Sequence, residues 1–290
     1  MHTVPGAQNP DWHSDNPSNH ASFWDHKDHQ DRTTIWLWSQ IATRYRNNPW
    51  IAGYNPINEP CDPLHHRLPE FYTRFESSIR KIDPFHILWL DGNTFAMEWK
   101  SFSAVLPNCA YALHDYSSMG FPTGTLFTST PSQIEKLESS FLRKCTFMKT
   151  HNVPSWNGEF GPVYADPTID QNAEETNTQR YNLLGAQLKI YDKHQIPWSI
   201  WLYKDLGLQG MVTTSRSSPY HTLIAPFLEK EARAPTRRVG FPNFGIVGQS
   251  FGSIGTLDRR KCPQGKRAVS NTMGCSQTTF KRSGADVCSE

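Results

Sequence analysis

The chain alternates short apolar runs with longer amphipathic segments. Each apolar run is five to eight residues long and ends at polar or turn-forming residues, as expected of buried strands in a parallel sheet. Between these runs, apolar side chains recur every three or four residues, which is the spacing of one face of an α-helix. The predicted strands are residues 50–57, 86–90, 109–113, 153–157 and 198–203, and the predicted helices are residues 31–45, 68–83, 131–150 and 174–194.

Two glutamates follow two of the predicted strands directly. Glu59 comes after the run at 50–57, and Glu159 comes after the run at 153–157. Strands that alternate with helices predict an α/β fold with a parallel sheet. In a (β/α)8 barrel the reactive side chains lie on loops at the carboxyl ends of several strands, around one mouth. We therefore expect the two carboxylates to face each other.

Paired carboxylates at one mouth indicate the chemistry of glycosidic bond cleavage. One carboxyl group must be protonated to assist the departing oxygen, and the other must be ionised to attack or stabilise the anomeric carbon. A single glutamate after an asparagine is more often a solvated turn residue, so Glu59 alone would indicate little. The interpretation gains weight from His114, Tyr116 and Trp201, which also lie at or near strand ends.

Four short segments carry a resemblance to a known family. They are Asn58-Glu59-Pro60, His114-Asp115-Tyr116, Glu159-Phe160-Gly161 and Trp201, in that order. Together they resemble the retaining glycoside hydrolases of family 5, the cellulase and exo-glucanase group, over residues 1–231. The resemblance implies a (β/α)8 TIM barrel and an O-glycosyl hydrolase that acts on a β-linked carbohydrate without a cofactor or metal. The loop at 5–9 is more similar to exo-β-glucanases than to mannanases, so a β-glucan, oligosaccharide or glucoside is the expected substrate.

The resemblance also assigns roles to individual side chains. Glu159 is expected to be the nucleophile and Glu59 the acid and base of a retaining double displacement. The expected substrate-binding residues are His2, Asn58, His114, Tyr116 and Trp201.

The family pattern places each of these substrate-binding residues differently. Asn58 would hold the sugar 2-hydroxyl, Tyr116 would hydrogen-bond the nucleophile, and Trp201 would lie beneath the sugar. His114 would line the cleft, and His2 would take the place of the family's histidine after strand three. His114 and Tyr116, two residues apart, are also compatible with a simple packed pair.

The strand count predicts an incomplete barrel. Predicted strands precede Asn58, Asp91, His114, Glu159 and Lys204, and the first two residues resemble the end of strand three. The first two βα units of the family are therefore expected to be missing, together with an arginine that keeps the nucleophile ionised. Such a chain would leave two strand edges unpaired and would raise the pKa of Glu159. We expect little turnover from it.

Composition divides the chain at about residue 234. Residues 234–290 hold nine Lys and Arg against three acids, whereas residues 1–233 hold 20 against 24. The basic segment has neither helical nor alternating periodicity, so we expect residues 1–233 to form the partial catalytic barrel and residues 234–290 to be a disordered tail. No function is assigned to this tail.

Charge and cysteine content exclude several other classes. A net charge of +2 gives no reason to expect nucleic acid as a partner, and no uncharged apolar run reaches the ~18 residues that a membrane span needs. As written, the chain has no signal peptide and is expected to be cytoplasmic, and the complete barrel is expected to be monomeric. The wide cysteine spacing favours free thiols, which we expect to be buried in the barrel part.

Two other functional interpretations remain open. The loop histidines His13, His20, His26 and His29 lie among aspartates and invite a metal-binding interpretation. None has the His-Glu-x-x-His spacing of two ligands on one helix face, and His26 with His29, three residues apart, is only weakly suggestive. A metal site there is therefore the less favoured reading. The other alternative is a carbohydrate-binding or inactive fragment that keeps the cleft without turnover. An activity assay beside a binding assay would separate this alternative from an enzyme.

Overall fold

Four parallel strands form the central sheet, and they lie in the order in which the chain makes them. The computed structural model describes residues 1–233 except 17, 168, 169, 206–208 and 216. Each strand pairs in parallel with the next, and a one-residue irregularity follows Leu113 where β3 meets β4. The four strands are β1 (Gly53–Tyr54), β2 (Ile87–Asp91), β3 (Cys109–His114) and β4 (Ser155–Glu159).

The chain continues the hydrogen bonding on both sides of this sheet. On the β1 side, the Asn58 N–H donates to the Met1 carbonyl at 2.9 Å. On the β4 side, the Ser199 N–H donates to the Asn157 carbonyl and the Trp201 N–H to the Phe160 carbonyl. A separate two-stranded parallel sheet follows, formed by β5 (Lys204–Asp205) and β6 (Val212–Thr213). The described residues thus form six strands in two sheets, not eight strands around a closed barrel.

Helices connect the strands much as the sequence predicts. An unbroken helical stretch runs through 27–45 and includes a π-helical turn at Asp31–Ile35, so it begins four residues before the predicted start. The predicted helix at 131–150 ends early, at Lys144, and a second helix starts after Cys145. The helices are α1 (Lys27–Gln30), α2 (Trp36–Tyr45), α3 (Arg67–Arg80), α4 (Asn93–Ala96), α5 (Pro131–Lys144), α6 (Thr146–His151), α7 (Ala173–His194) and α8 (Pro219–Arg233).

Two predicted strands differ from the observed ones. The strand predicted at 50–57 is reduced to β1, because Pro56 has no N–H to donate and the Asn55 side chain itself donates to the Trp89 carbonyl and to Asp91. The strand predicted at 198–203 makes backbone bonds to β4 only at intervals, and β5 begins just beyond it. In both cases the apolar run is present but the ladder is short.

Burial explains why β3 carries the site. All six residues of β3 are buried, because helices cover one face of the sheet while the other face packs inside the fold. An aromatic cluster of Trp99, Phe102, Tyr111 and Phe147 fills the space beneath it, with Trp99 and Phe147 stacked at 5.4 Å. The end of β3 is therefore held on a rigid base.

Large apolar side chains are exposed on α2, before β1 and on α8. Trp36 in α2 and Trp50 before β1 are 58% and 91% exposed, and Leu223 in α8 is 77% exposed. A barrel that lacks strands is expected to expose apolar surface of this kind. The absence of the first two βα units as the cause of this exposure stays a prediction.

Three cysteines in the described part are free thiols, as predicted. Cys109 and Cys145 are buried, and Cys61 is half-buried. None of the described helices is both long enough and apolar enough to cross a membrane. The basic segment at 234–290, with the other three cysteines, lies outside the described residues.

Candidate active site

The end of β3, the end of β4 and the loop after β1 each bring one side chain to the same place. His114, at the end of β3, directs Nδ1 to Glu59 Oε1 at 2.6 Å and lies 3.7 Å from Glu159 Oε2. One oxygen of each glutamate and one nitrogen of His114 all lie within 4.8 Å of one another. The side chains of Glu59 and Glu159 are only 10% and 12% exposed. The two predicted carboxylates therefore share one pocket, with an imidazole between them.

Glu59 has an unusual backbone conformation. Its φ is +49°, a region that residues other than glycine rarely adopt. Its N–H donates to Asp91 Oδ2 at 3.0 Å, and its carbonyl accepts from Asn9 Nδ2 at 2.9 Å. Strained conformations persist at functional sites when neighbouring groups fix them, as these two hydrogen bonds do here.

The loop at 5–9 supports the same backbone from the other side. The Gln8 side-chain amide donates to the carbonyls of His2 and Asn58, at 2.7 and 2.8 Å. Gln8 and Asn9 are both fully buried. In the sequence, this loop shows only a resemblance to exo-β-glucanases. In the structure, its two side-chain amides position the Asn58–Glu59 segment.

Glu159 is held at the end of β4 by contacts from β3 and its continuation. The Asp115 N–H donates to its carbonyl at 2.9 Å, and the Tyr116 hydroxyl donates to its Oε2 at 3.1 Å. Two residues later, Gly161 has a φ of +151°, and a Cβ there would lie 2.3 Å from the Trp201 carbonyl oxygen. Glycine thus allows the segment that carries Trp201 to lie against β4.

The structure brings the remaining predicted residues to this pocket as well. His2 Nε2 lies 3.8 Å from Glu159 Oε1, and the His2 and Trp201 rings are 5.2 Å apart. Asn58 is buried next to Glu59. The roles predicted for these side chains toward a sugar stay predictions.

Two residues of the pocket were not predicted from the sequence. Asp91, at the end of β2, accepts the Glu59 N–H and lies 3.8 Å from His114 Nε2. Asp91 directly follows the predicted strand at 86–90, and this position could have indicated that it lies at the site. His13 Nε2 lies 3.3 Å from Glu59 Oε2. His13 comes from a short 3-10 turn in a long loop, so nothing in the local sequence indicates that it reaches the site.

The other loop histidines do not converge. His20 pairs with Asp25 at 2.7 Å, and His29 contacts the Pro5 carbonyl at 3.1 Å. Within the described ranges, the group of His, Cys, Asp and Glu side chains close enough to share an ion is Glu59, His114 and Glu159. The structure therefore lends no support to a metal site at His20, His26 and His29.

Burial and neighbouring charges raise the pKa of Glu159. Loss of solvent has the largest effect, the carboxylates of Glu59 and Asp91 add to it, and His114 and Tyr116 oppose it, which leaves the pKa of Glu159 at about 7. The direction agrees with the sequence-based expectation for a nucleophile without its arginine. About half of the Glu159 carboxyls are then ionised at neutral pH.

His114 is the cation of the pocket. Burial by itself lowers the pKa of His114, but the hydrogen bond to Glu59 and the charges of Asp91, Glu159 and Glu59 outweigh it and raise the pKa to about 9. The imidazole is therefore protonated at neutral pH. It places a positive charge beside Glu159, which opposes the rise in the pKa of that carboxyl.

We expect the site to make the fold less stable as pH rises. The pKa of Glu159 rises on folding from 4.5 to about 7, and that of His114 from 6.5 to about 9. Both raised pKa values favour the protonated folded state. The contribution of Glu159 to stability is complete below about pH 4.5 and is lost as pH rises through 7. The contribution of His114 is complete below about pH 6.5 and is lost as pH rises through 9. At ~1.4 kcal/mol per pKa unit, the free energy of unfolding should fall by roughly 2–3 kcal/mol between pH 5 and 7 from Glu159 alone.

Urea denaturation at a series of pH values measures this fall. The Glu159→Gln variant cannot titrate at that position, so its curve should be flatter between pH 5 and 7, and the variant should be more stable than the parent at pH 7. Parallel curves for the parent and the variant would contradict the raised pKa of Glu159.

A buried ion pair lies directly behind the pocket. Lys144 Nζ donates to Asp115 Oδ1 at 2.6 Å and to the His114 carbonyl at 3.1 Å. Tyr191 donates its hydroxyl to Asp115 Oδ2 at 2.9 Å, and the Gln187 amide donates to the Asp115 carbonyl. This network ties the end of β3 to α5 and α7, so it fixes the backbone that carries His114.

We expect Lys144→Met to lower the free energy of unfolding by about 3–5 kcal/mol. The substitution leaves the Asp115 carboxylate buried without its cation, which is the costly way to break an ion pair. The double variant Lys144→Met, Asp115→Asn should recover part of the loss because it removes the unpaired charge. Urea denaturation of the three proteins measures both effects. A loss below about 1 kcal/mol in the single variant would show that the pair contributes little.

Comparison with known proteins places the chain in a family. Residues 11–207 match the family model for cellulase, glycosyl hydrolase family 5. A β-xylosidase of Phanerodontia chrysosporium is 50% identical over 238 residues, which are 80% of this chain and 50% of that protein. The chain thus spans about half the length of this relative.

Solved structures show the same fold at low sequence identity. Endoglucanase Cel5A from the hyperthermophilic Thermotoga maritima has a TM-score of 0.56 and 20% identity, over 70% of this chain and 68% of that chain. A hyperthermophilic endo-β-1,4-glucanase in complex with substrate has a TM-score of 0.52 and 20% identity, over 62% and 60%. The family fold is the (β/α)8 TIM barrel, and the described residues form a parallel α/β part of it. The family match covers more than half of the chain and includes both glutamates, so this chain belongs to glycosyl hydrolase family 5, the cellulase family.

Proposed function

We propose that this chain is a retaining glycosidase that cleaves β-glucosidic bonds of a glucan, oligosaccharide or glucoside. The observation that carries the proposal is the separation of the two carboxylates: an oxygen of Glu59 and one of Glu159 lie within 4.8 Å. Retaining enzymes hold their carboxyl groups about 5 Å apart, whereas inverting enzymes need roughly 6.5–9.5 Å to admit a water. The oxygen separation is therefore compatible with the retaining arrangement and below the range of the inverting one.

In the first step of this mechanism, an ionised Glu159 attacks the anomeric carbon. The bond to the leaving oxygen breaks, and Glu59 transfers its proton to that oxygen, so the sugar becomes an ester of Glu159. The Tyr116 hydroxyl holds Oε2 of the attacking carboxylate at 3.1 Å and keeps it aligned. This step requires Glu59 protonated and Glu159 ionised at the same time.

In the second step, Glu59 acts as a base. It accepts a proton from water, the water oxygen attacks the anomeric carbon, and the ester bond to Glu159 breaks, so configuration is retained after two inversions. His114 is hydrogen-bonded to Glu59 in the ground state and can hold that carboxylate in place throughout both steps. These two reaction steps require no cofactor.

A β-xyloside is the second candidate substrate. The 50% identical relative is named a β-xylosidase, which favours a pentose, whereas the resemblance of the loop at 5–9 favours a β-glucoside. The two sugars differ by the hydroxymethyl group on C5. Parallel assays of 4-nitrophenyl β-glucoside and 4-nitrophenyl β-xyloside on the full chain separate them, because the leaving group is the same. A larger kcat/KM for the xyloside than for the glucoside would identify the β-xyloside as the preferred substrate.

A carbohydrate-binding or inactive fragment is the remaining alternative. The exposed apolar surface and the raised pKa of Glu159 both favour weak turnover by this chain. The same assays, beside a binding measurement on soluble β-glucan, decide the matter. Hydrolysis that disappears in Glu159→Gln supports the enzyme, whereas binding without hydrolysis in the folded parent supports the fragment.

A further inference from the structure

We propose that the pocket of Glu59, His114 and Glu159 also binds a divalent transition-metal ion, with Zn²⁺ as the representative ion, and that the bound ion excludes the sugar. The inference rests on the proposed function only where it treats the pocket as the sugar site. Binding of the ion itself depends on the three side chains and not on turnover.

The donor atoms have the chemistry and the spacing that zinc uses. Zinc takes histidine nitrogen and carboxylate oxygen at about 2.0–2.2 Å, so two donors of a tetrahedral site lie roughly 3.4 Å apart. Here Glu59 Oε1 and Glu159 Oε2 lie 2.6 and 3.7 Å from His114 Nδ1. A bound ion replaces the Nδ1 proton that Glu59 accepts here, and the two glutamate oxygens, which lie within 4.8 Å of each other, move toward the ion as it binds.

A carboxylate lies near the second nitrogen of the imidazole. His114 Nε2 lies 3.8 Å from Asp91 Oδ2, on the side away from the two glutamates. Asp91 is itself fixed, because it accepts from the Glu59 N–H at 3.0 Å and from the Asn55 amide at 2.8 Å. Metal-binding histidines commonly have a carboxylate at their second nitrogen, which directs the first nitrogen at the ion.

Two further histidines stand at the solvent side of the same pocket. His13 Nε2 lies 3.3 Å from Glu59 Oε2, and His2 Nε2 lies 3.8 Å from Glu159 Oε1. Their side chains are 22% and 50% exposed, so they lie between solvent and the three deeper donors. Either can supply a fourth ligand and a route of entry. His13 is the one loop histidine of the sequence-based metal hypothesis that reaches the pocket.

The ligand set selects a class of ion. Imidazole with carboxylate suits Zn²⁺, Cu²⁺ and Ni²⁺, whereas Mg²⁺ and Ca²⁺ prefer six or more oxygen ligands. The pocket offers up to three imidazoles and two glutamates. Because the ion lies between the carboxylates that the sugar needs, it inhibits and does not assist the reaction. The expectation that catalysis uses no metal is unchanged.

Isothermal titration of the metal-free full chain with ZnCl2 tests the proposal. We expect one ion per chain at the pocket, with affinity at least tenfold weaker in Glu159→Gln and in His114→Gln, because each loses one of three deep donors. The matched control is the double variant His26→Ala, His29→Ala, which removes two exposed loop histidines and should leave the affinity unchanged. Titration with MgCl2 should show binding at least 100-fold weaker than that of ZnCl2.

Circular dichroism establishes whether each variant is folded. If His114→Gln unfolds, the test relies on Glu159→Gln, which preserves the shape of the side chain. Zinc affinity that is unchanged in folded Glu159→Gln, or that is lost in the loop control, overturns the proposal. The titration needs no turnover, so a chain that binds zinc at the pocket but hydrolyses nothing would overturn the proposed function and leave this inference standing.

Discussion

Replacing Glu159 by glutamine is expected to lower kcat for an aryl β-glucoside by about 10⁴-fold or more. The amide keeps the size and the contact with Tyr116, but it carries no negative charge and cannot form the ester with the anomeric carbon. Because a good leaving group does not replace the nucleophile, the loss should be similar for activated and unactivated substrates. Initial rates at high protein concentration, with parent and variant compared on two leaving groups, measure it.

The matched control for this variant is Glu135→Gln. Glu135 lies exposed on α5, nine residues before Lys144, so its substitution makes the same chemical change on the surface of a helix that carries none of the pocket side chains. We expect its kcat to equal that of the parent. A folded Glu159→Gln protein that keeps more than a tenth of the parent kcat would remove Glu159 from the nucleophilic role.

Replacing Glu59 by glutamine is expected to divide substrates by their leaving groups. Loss of the acid should reduce kcat/KM by about 10²–10⁴-fold for an alkyl glucoside or cellobiose, whose departing oxygen needs a proton. Attack on 4-nitrophenyl β-glucoside needs little protonation, so its first step should be nearly spared, and the slow step becomes hydrolysis of the glycosyl ester. The ratio of the two kcat/KM values, in parent and variant, measures the effect.

Equal losses on both kinds of substrate would contradict the acid role of Glu59. A general loss of structure would also reduce both rates, because Glu59 carries an unusual backbone conformation. The glutamine variant keeps the backbone contacts to Asp91 and Asn9, so a cooperative thermal transition, measured above the assay temperature, is expected and serves as the control.

The regular elements were largely predictable from the hydrophobic pattern. The predicted helices at 68–83 and 174–194 correspond to α3 and α7, and the predicted strands at 86–90 and 109–113 correspond to β2 and β3. Apolar residues recur in these segments at the spacing of a helix or a strand, so the local pattern is enough to predict them. The predicted helix at 131–150 divides after Lys144, where the Cys145 N–H is shared among the last carbonyls of α5, a detail that apolar spacing does not encode.

The site was predictable only where a side chain follows a strand directly. Glu159 and His114 end β4 and β3, so a correct strand assignment places them at one edge. Gln8, Asn9 and His13 belong to a loop, and their contacts with the Asn58–Glu59 segment span about fifty positions of sequence. Such contacts depend on the tertiary fold, which explains why the pattern did not reveal them.

Trapping the covalent intermediate tests the retaining mechanism most directly. A 2-deoxy-2-fluoro-β-glucosyl fluoride reacts at the nucleophile but hydrolyses slowly, because fluorine destabilises the cation-like transition state of both steps while the good leaving group favours the first. We expect the intact chain to gain the mass of one fluoroglucosyl group, and proteolysis to place that group on the peptide containing Glu159. A label on another residue, or continued hydrolysis of an aryl β-glucoside with no label at all, would contradict it.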